Sequence, residues 1–135
     1  MIKSPFKIAT FMGFGALLLA LPAAGHHSFA AEFDSNKSVT LEGVITKVDW
    51  INPHAWWRVD VTNESGQVEH WDIQSESPTN LHKAGMTRDN CGKPGERVKI
   101  VAYGAKDGTK NLAIVRTITF EDTNVVFRLL SDFTK

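Results

Sequence analysis

The chain has 135 residues, with 15 Lys or Arg against 15 Asp or Glu, so its formal net charge is zero with His neutral. Its 42% hydrophobic and 22% charged content is that of an ordinary globular domain, which excludes collagen-like and low-complexity chains. Zero charge removes the simplest case for nucleic acid or an anionic membrane as partner, and a single Cys excludes both an internal disulfide and a Cys-rich zinc framework.

Residues 1–25 read as a secretory signal peptide. Lys3 and Lys7 make a basic start, the apolar run Ile8–Leu21 has only Thr10 polar, and Pro22, Ala23, Ala24 and Gly25 follow. The run is shorter than the roughly 20 apolar residues a membrane span needs, which leaves an uncleaved N-terminal anchor as the alternative. Cleavage after Gly25 makes His26 the new N-terminus, followed by His27. It removes Lys3 and Lys7 and no acid, so 13 basic and 15 acidic residues remain and the exported chain carries a net charge of −2. Export places the protein in the periplasm.

The remaining residues, 26–135, read as one domain with an N-terminal arm over 26–38 and a tail over 121–135. Hydrophobicity alternates with period two along most of it, the mark of strands with one buried face. A first strand spans about 39–50, with Val39 and Leu41 on one face and Val44, Val48 and Trp50 on the other parity; the switch falls at Gly43 and suggests a bulge or bend. A second strand spans about 55–62, with Trp57, Val59 and Val61 inward and Trp56, Arg58 and Asp60 outward. A turn at Asn63–Gly66 leads to a third strand over 67–74, with Trp71 and Ile73 inward and His70 and Asp72 outward. Ser77 as N-cap, Pro78 at the first helical position and Gly85 as stop predict a short helix with Leu81 and Ala84 on its apolar side. The turn Lys93–Gly95 precedes a fourth strand over 96–103, with Val98, Ile100 and Ala102 inward. The turn Lys106–Gly108 precedes a fifth over 112–120. Residues 125–130 are apolar enough to pack as a short extra strand or helix.

Three strands, a short helix, then two strands predict a mainly all-β chain forming a small OB-fold-like five-stranded barrel, with one short helix between strands 3 and 4. Another small barrel or a sandwich is the alternative. The run His26–Asp34, the block Gly43–His54 with its Asn52-Pro53-His54, Ser77-Pro78 with Leu81 and Gly85, Lys93–Glu96 and Ala105–Gly108 together resemble an uncharacterised family of exported bacterial proteins, domain of unknown function 6152. The resemblance implies export and a small β-rich domain, and carries no activity. This chain departs from the pattern at Asn90-Cys91-Gly92, where an apolar residue, often Leu, is usual, and in a longer tail after Phe120.

Two groups of residues could carry chemistry. His26, His27 and His54 could hold copper or zinc. An N-terminal amine beside a His ring suits copper(II), with Glu32 or Asp34 as further oxygen ligands. The bland alternative is a solvated arm, with His54 steadying the Asn52-Pro53 turn through a backbone hydrogen bond. The second group is a ligand face of Asn52, His54, Trp56, Arg58, His70 and Asp72. It offers an aromatic platform, a cation, imidazoles and a carboxylate to a sugar, a peptide or another small polar ligand. That face could equally be an ordinary polar surface covered by the arm or tail.

Trp50, Trp57 and Trp71 read as core, and His82 as an exposed helix residue. Cys91 has no partner His nearby, Asp72 and Glu76 have no dyad spacing, and the loop Ala105–Asn111 is a plain hairpin turn. The expectation is therefore an exported, non-enzymatic binding module. Its partner would be a small molecule, a metal ion or a periplasmic protein rather than nucleic acid, and transition-metal handling is the alternative function. A metalloenzyme on the same histidines lacks an identifiable base or pocket.

Overall fold

The computed structural model describes residues 29–129. The signal segment, His26 and His27 lie outside the described residues. Eight elements follow in order: α1 (Phe29–Glu32), β1 (Phe33–Asp49), β2 (Trp56–Thr62), β3 (Val68–Gln74), α2 (Pro78–Lys83), β4 (Arg97–Ala105), β5 (Leu112–Phe120) and β6 (Val125–Arg128). The chain is mainly β, in one six-stranded sheet of order β3-β2-β1-β4-β5-β6. Most neighbours are antiparallel. In addition β3 runs parallel to β5, with Asp72, Ile73 and Gln74 opposite Leu112, Ala113 and Ile114. The pairing thus runs β1-β2-β3-β5-β4 and returns to β1.

β1 begins at Phe33, six positions before the expected 39, so half of the expected arm is strand. Phe33 is buried and pairs with Ala105. The 17-residue length serves two partners: Val39–Val44 pair with β4, and Val44–Asp49 pair with β2.

The expected parity switch at Gly43 is corrected. Leu41 and Ile45, on the same parity as Gly43, are both buried, and Val44 is only half-buried. The register shifts later, between Ile45 and Lys47, and only past it do Val48 and Trp50 turn onto the core. Gly43 has a different task. A Cβ there would lie 2.4 Å from the Asp60 carbonyl oxygen and 2.8 Å from Val59 Cγ1, so glycine lets β2 approach β1.

The expected inward sets of β2, β3 and β4 do face the core, whereas β5 buries Ala113, Ile114 and Val115 in succession. Trp57, Val59, Ile73, Val98, Ile100 and Ala102 are all fully buried and form the core with Leu41, Ile45, Ile118 and Phe120. The reason is elementary: apolar side chains on one face of each pleat leave water together, at about 25 cal/mol per Å² removed. Trp71 and Trp50 are half-buried and pack on this core from its margin. Trp57 Nε1–H donates to the Cys91 carbonyl at 2.7 Å. That bond satisfies the only polar group of the largest buried side chain and ties the segment after α2 to β2. Cys91 is itself buried and fills an apolar place; burial pushes its thiol pKa up.

α2 forms where the caps predict it. Ser77 Oγ accepts from the Asn80 backbone N–H, and Pro78 opens the helix. Leu81 is buried, but Ala84 is exposed as the C-cap. The chain turns through Gly85 at φ +85°, and Met86, whose N–H donates to the Leu81 carbonyl, fills the core position expected of Ala84. The tail supplies β6, an added edge strand on β5. No helix among the described residues is long and apolar enough to cross a membrane.

Candidate functional site

The register of β2 against β3 sets Trp56 opposite Gln74, Arg58 opposite Asp72 and Asp60 opposite His70. Four of the six residues expected on a ligand face therefore share one surface: Trp56, Arg58, His70 and Asp72. Their side chains answer one another. Arg58 Nη1 lies 2.6 Å from Asp72 Oδ1, Arg58 Nε lies 3.5 Å from Asp49 Oδ2, and the guanidinium carbon sits 5.0 Å from the Trp56 ring centre. Lys47 Nζ reaches Asp49 at 2.7 Å; its hydrogen bond, together with the charges of Lys47 and Arg58, holds the Asp49 carboxyl below its ordinary pKa against the opposing effect of burial. His70 Nδ1 lies 2.6 Å from Asp60 Oδ1. The cation that would greet a ligand already has two carboxylates, and the aromatic platform already carries that cation. A ring stacking on that face of Trp56 would have to displace Arg58.

Asn52 and His54 sit in the connection from β1 to β2 and serve other ends. Asn52 is exposed, and its bond to Pro53 is cis. His54 is half-buried, and its Nδ1 lies 3.1 Å from the Ser75 carbonyl oxygen. A carbonyl only accepts, so Nδ1–H donates, and the neutral ring then carries its lone pair on Nε2. The Phe29 ring packs at 5.8 Å from the imidazole. Among the described residues no group of three or more His, Cys, Asp or Glu is placed to hold a metal ion. Asp72 and Glu76 do not form a carboxylate pair: Asp72 is bound to Arg58, and the Glu76 carboxyl, raised by burial, takes a hydrogen bond from Asn80.

A different concavity has the size and lining of a ligand site. Trp50, just past the end of β1, lines an open, shallow groove of about 610 Å³ together with Pro78, Thr79, His82 and Lys83 of α2 and with Thr87 and Arg88. Small-molecule sites occupy roughly 300–1,000 Å³ and combine apolar walls with a few polar groups. Trp50 and Pro78 supply the walls; two threonines, an imidazole and two cations supply the polar groups. The groove has structural supports. Arg88 Nη2 donates to the Trp50 carbonyl at 3.1 Å, and the Ser77 cap fixes the start of α2. A second hollow of about 540 Å³, lined among others by Arg88, Lys93, Asp89, Glu96 and Asp122 over Phe120 and Phe127, mixes both signs of charge.

A model described as a family of unknown function, DUF6152, matches residues 16–113. The chain belongs to this family. No curated protein and no solved structure matches the chain. The DUF6152 span takes in every residue of the Trp50 groove and the whole outward face of β2 and β3, and it ends at the start of β5. β6 and the tail of this DUF6152 chain lie beyond it.

The groove is what sequence reasoning missed. Trp50 looked like core because it continues the apolar parity of Val48, and half of that reading holds, since it is partly buried and packs against the core. His82 looked like a plain surface residue and is exposed, yet it borders the groove. The signal available was local: the stretch from Ser77 to Arg88 holds His82, Lys83 and Arg88 and no Asp or Glu.

Proposed function

We propose that this chain is an exported, non-enzymatic binding module on an OB-type barrel, and that it takes a small molecule in the Trp50 groove. Export rests on the basic start, short apolar run and small-residue end of residues 1–25. The barrel reading is supported by the pairing order β1-β2-β3-β5-β4-β1 and by α2 between β3 and β4. The observation that carries the binding reading is Trp50: a large aromatic left half-open at the wall of a roomy groove whose other side chains are mostly polar.

The test is a titration of the ¹⁵N-labelled exported form with four probes: glucose, glucuronate, benzamide and benzoate. At least one should produce saturable shifts centred on the Trp50 indole N–H and the Thr79 and Thr87 amides, and Trp50→Ala should weaken it about tenfold or more. If all four leave those signals unmoved, or shift only the Trp56 face, the groove is not the site.

A second reading, transition-metal handling through His26, His27 and His54, is favoured by one observation. His54 presents Nε2 while the Ser75 carbonyl fixes its tautomer, the usual outer support of a metal-bound imidazole. The exported chain should then retain about one equivalent of copper or zinc after desalting, and His54→Ala should lose it. Metal retained undiminished by His54→Ala contradicts this reading.

A further inference from the structure

We infer that the Trp50 groove selects ligands carrying an anionic group, a carboxylate or a phosphate, on a ring with an apolar face. This deepens the binding reading above and rests on it. Lys83, Arg88 and His82 all line the groove, and no carboxylate does. The carboxylates nearest in sequence are engaged or turned elsewhere. Glu76 is half-buried, takes a hydrogen bond from Asn80 and feels the charge of Lys83 without itself lining the groove, and Asp89 lines the second hollow. Two cations without a carboxylate thus line this groove, in a protein whose exported form is net negative. Several surface cations elsewhere are matched by carboxylates, Arg58 by Asp49 and Asp72, Lys99 by Glu42 and Arg97 by Glu121.

Arg88 is oriented as well as charged. Its Nη2 donates to the Trp50 backbone carbonyl, which tethers the guanidinium at the groove and leaves other N–H groups to donate to a further acceptor. Thr79 and Thr87, which also line the groove, add hydroxyls suited to hydroxyl or phosphate oxygens. Trp50 and Pro78 add the apolar surface on which a pyranose or an aromatic ring stacks. The combination fits an acidic sugar or an aromatic carboxylate better than a neutral sugar, a cation or a fatty chain.

The same four probes separate the two claims. Glucuronate should bind about tenfold or more tightly than glucose, and benzoate about tenfold or more tightly than benzamide, at low salt. Raising sodium chloride from 0.05 to 0.5 M should weaken only the two anions, because the groove is open to water. Lys83→Met should erase most of the anion preference and leave the neutral probes unchanged. Lys93→Met, which removes a cation from the second hollow instead, should change neither. Equal affinity for anions and their neutral counterparts would overturn the anion inference while leaving the groove as a binding site. Loss of preference in Lys93→Met as large as in Lys83→Met would also overturn it, since a general surface field would then be the cause. If no probe reaches the groove, the binding reading and the inference fall together. Circular dichroism of each variant checks that the fold is retained.

Discussion

Trp57→Phe is expected to lower the unfolding free energy by about 2–3 kcal/mol, and Trp57→Ala by about 3–5 kcal/mol. Two costs add in the Phe variant. The smaller ring leaves unfilled volume at a site with no solvent access. It also deletes the N–H that satisfies the Cys91 carbonyl, and a buried acceptor without a donor costs about 1–3 kcal/mol. Against a total stability of about 5–15 kcal/mol, the Phe variant should melt about 10 °C lower. A second readout is specific to the bond. Cys91 lies in the segment that Trp57 anchors, and burial both shields its thiol and raises its pKa. A thiol reagent should therefore modify Cys91 slowly in the parent and markedly faster in Trp57→Phe, under conditions where both remain folded. A Phe variant within 0.5 kcal/mol of the parent in urea titration, with unchanged Cys91 reactivity, would show that the bond contributes nothing.

Trp57 shows what alternation can and cannot tell. Its place in the core is legible, because Trp57, Val59 and Val61 sit at every second position between turn signals. Its hydrogen bond is not, because the acceptor lies 34 positions away beyond a helix and two turns. The same division runs through the candidate site. The outward set Trp56, Arg58, His70 and Asp72 shares a face as expected, since parity alone fixes the face of a strand residue. That Arg58 spends its charge on Asp49 is not legible, because the β1 register that delivers Asp49 depends on an irregularity between Ile45 and Lys47. The groove needs three segments at once: a strand end, a six-residue helix and the turn after it. Caps and glycines locate the helix, but nothing in the local pattern says which strand end it will face.

Gly43→Ala is expected to cost about 3 kcal/mol, whereas Gly104→Ala should change stability by no more than about 0.5 kcal/mol. Both glycines lie inside strands, and neither has a positive φ, so backbone strain does not distinguish them. Space does. At Gly104 a Cβ would meet Lys37 Cβ and its carbonyl oxygen at 3.7 Å, an ordinary contact, and Ala there also reduces the freedom of the unfolded chain. At Gly43 the nearest atom is the Asp60 carbonyl oxygen at 2.4 Å, which belongs to backbone and cannot swing aside. Relief would require β2 to withdraw where Val44 pairs with Asp60 and Ile45 with Val59, which loosens Val59 in the core. Urea titration measures the cost, and hydrogen exchange locates it: amides of Val44 to Lys47 and of Arg58 to Val61 should exchange faster in Gly43→Ala, with those of β4 and β5 less affected. The result decides between two roles a strand glycine can have. A glycine that merely marks a bend at negative φ accepts a methyl group, and then both variants would be equally mild. A glycine that holds open the approach of a neighbouring strand does not, and β1 changes partner beside this residue: Gly43 pairs with Val98 of β4, and Val44 pairs with both Arg97 of β4 and Asp60 of β2.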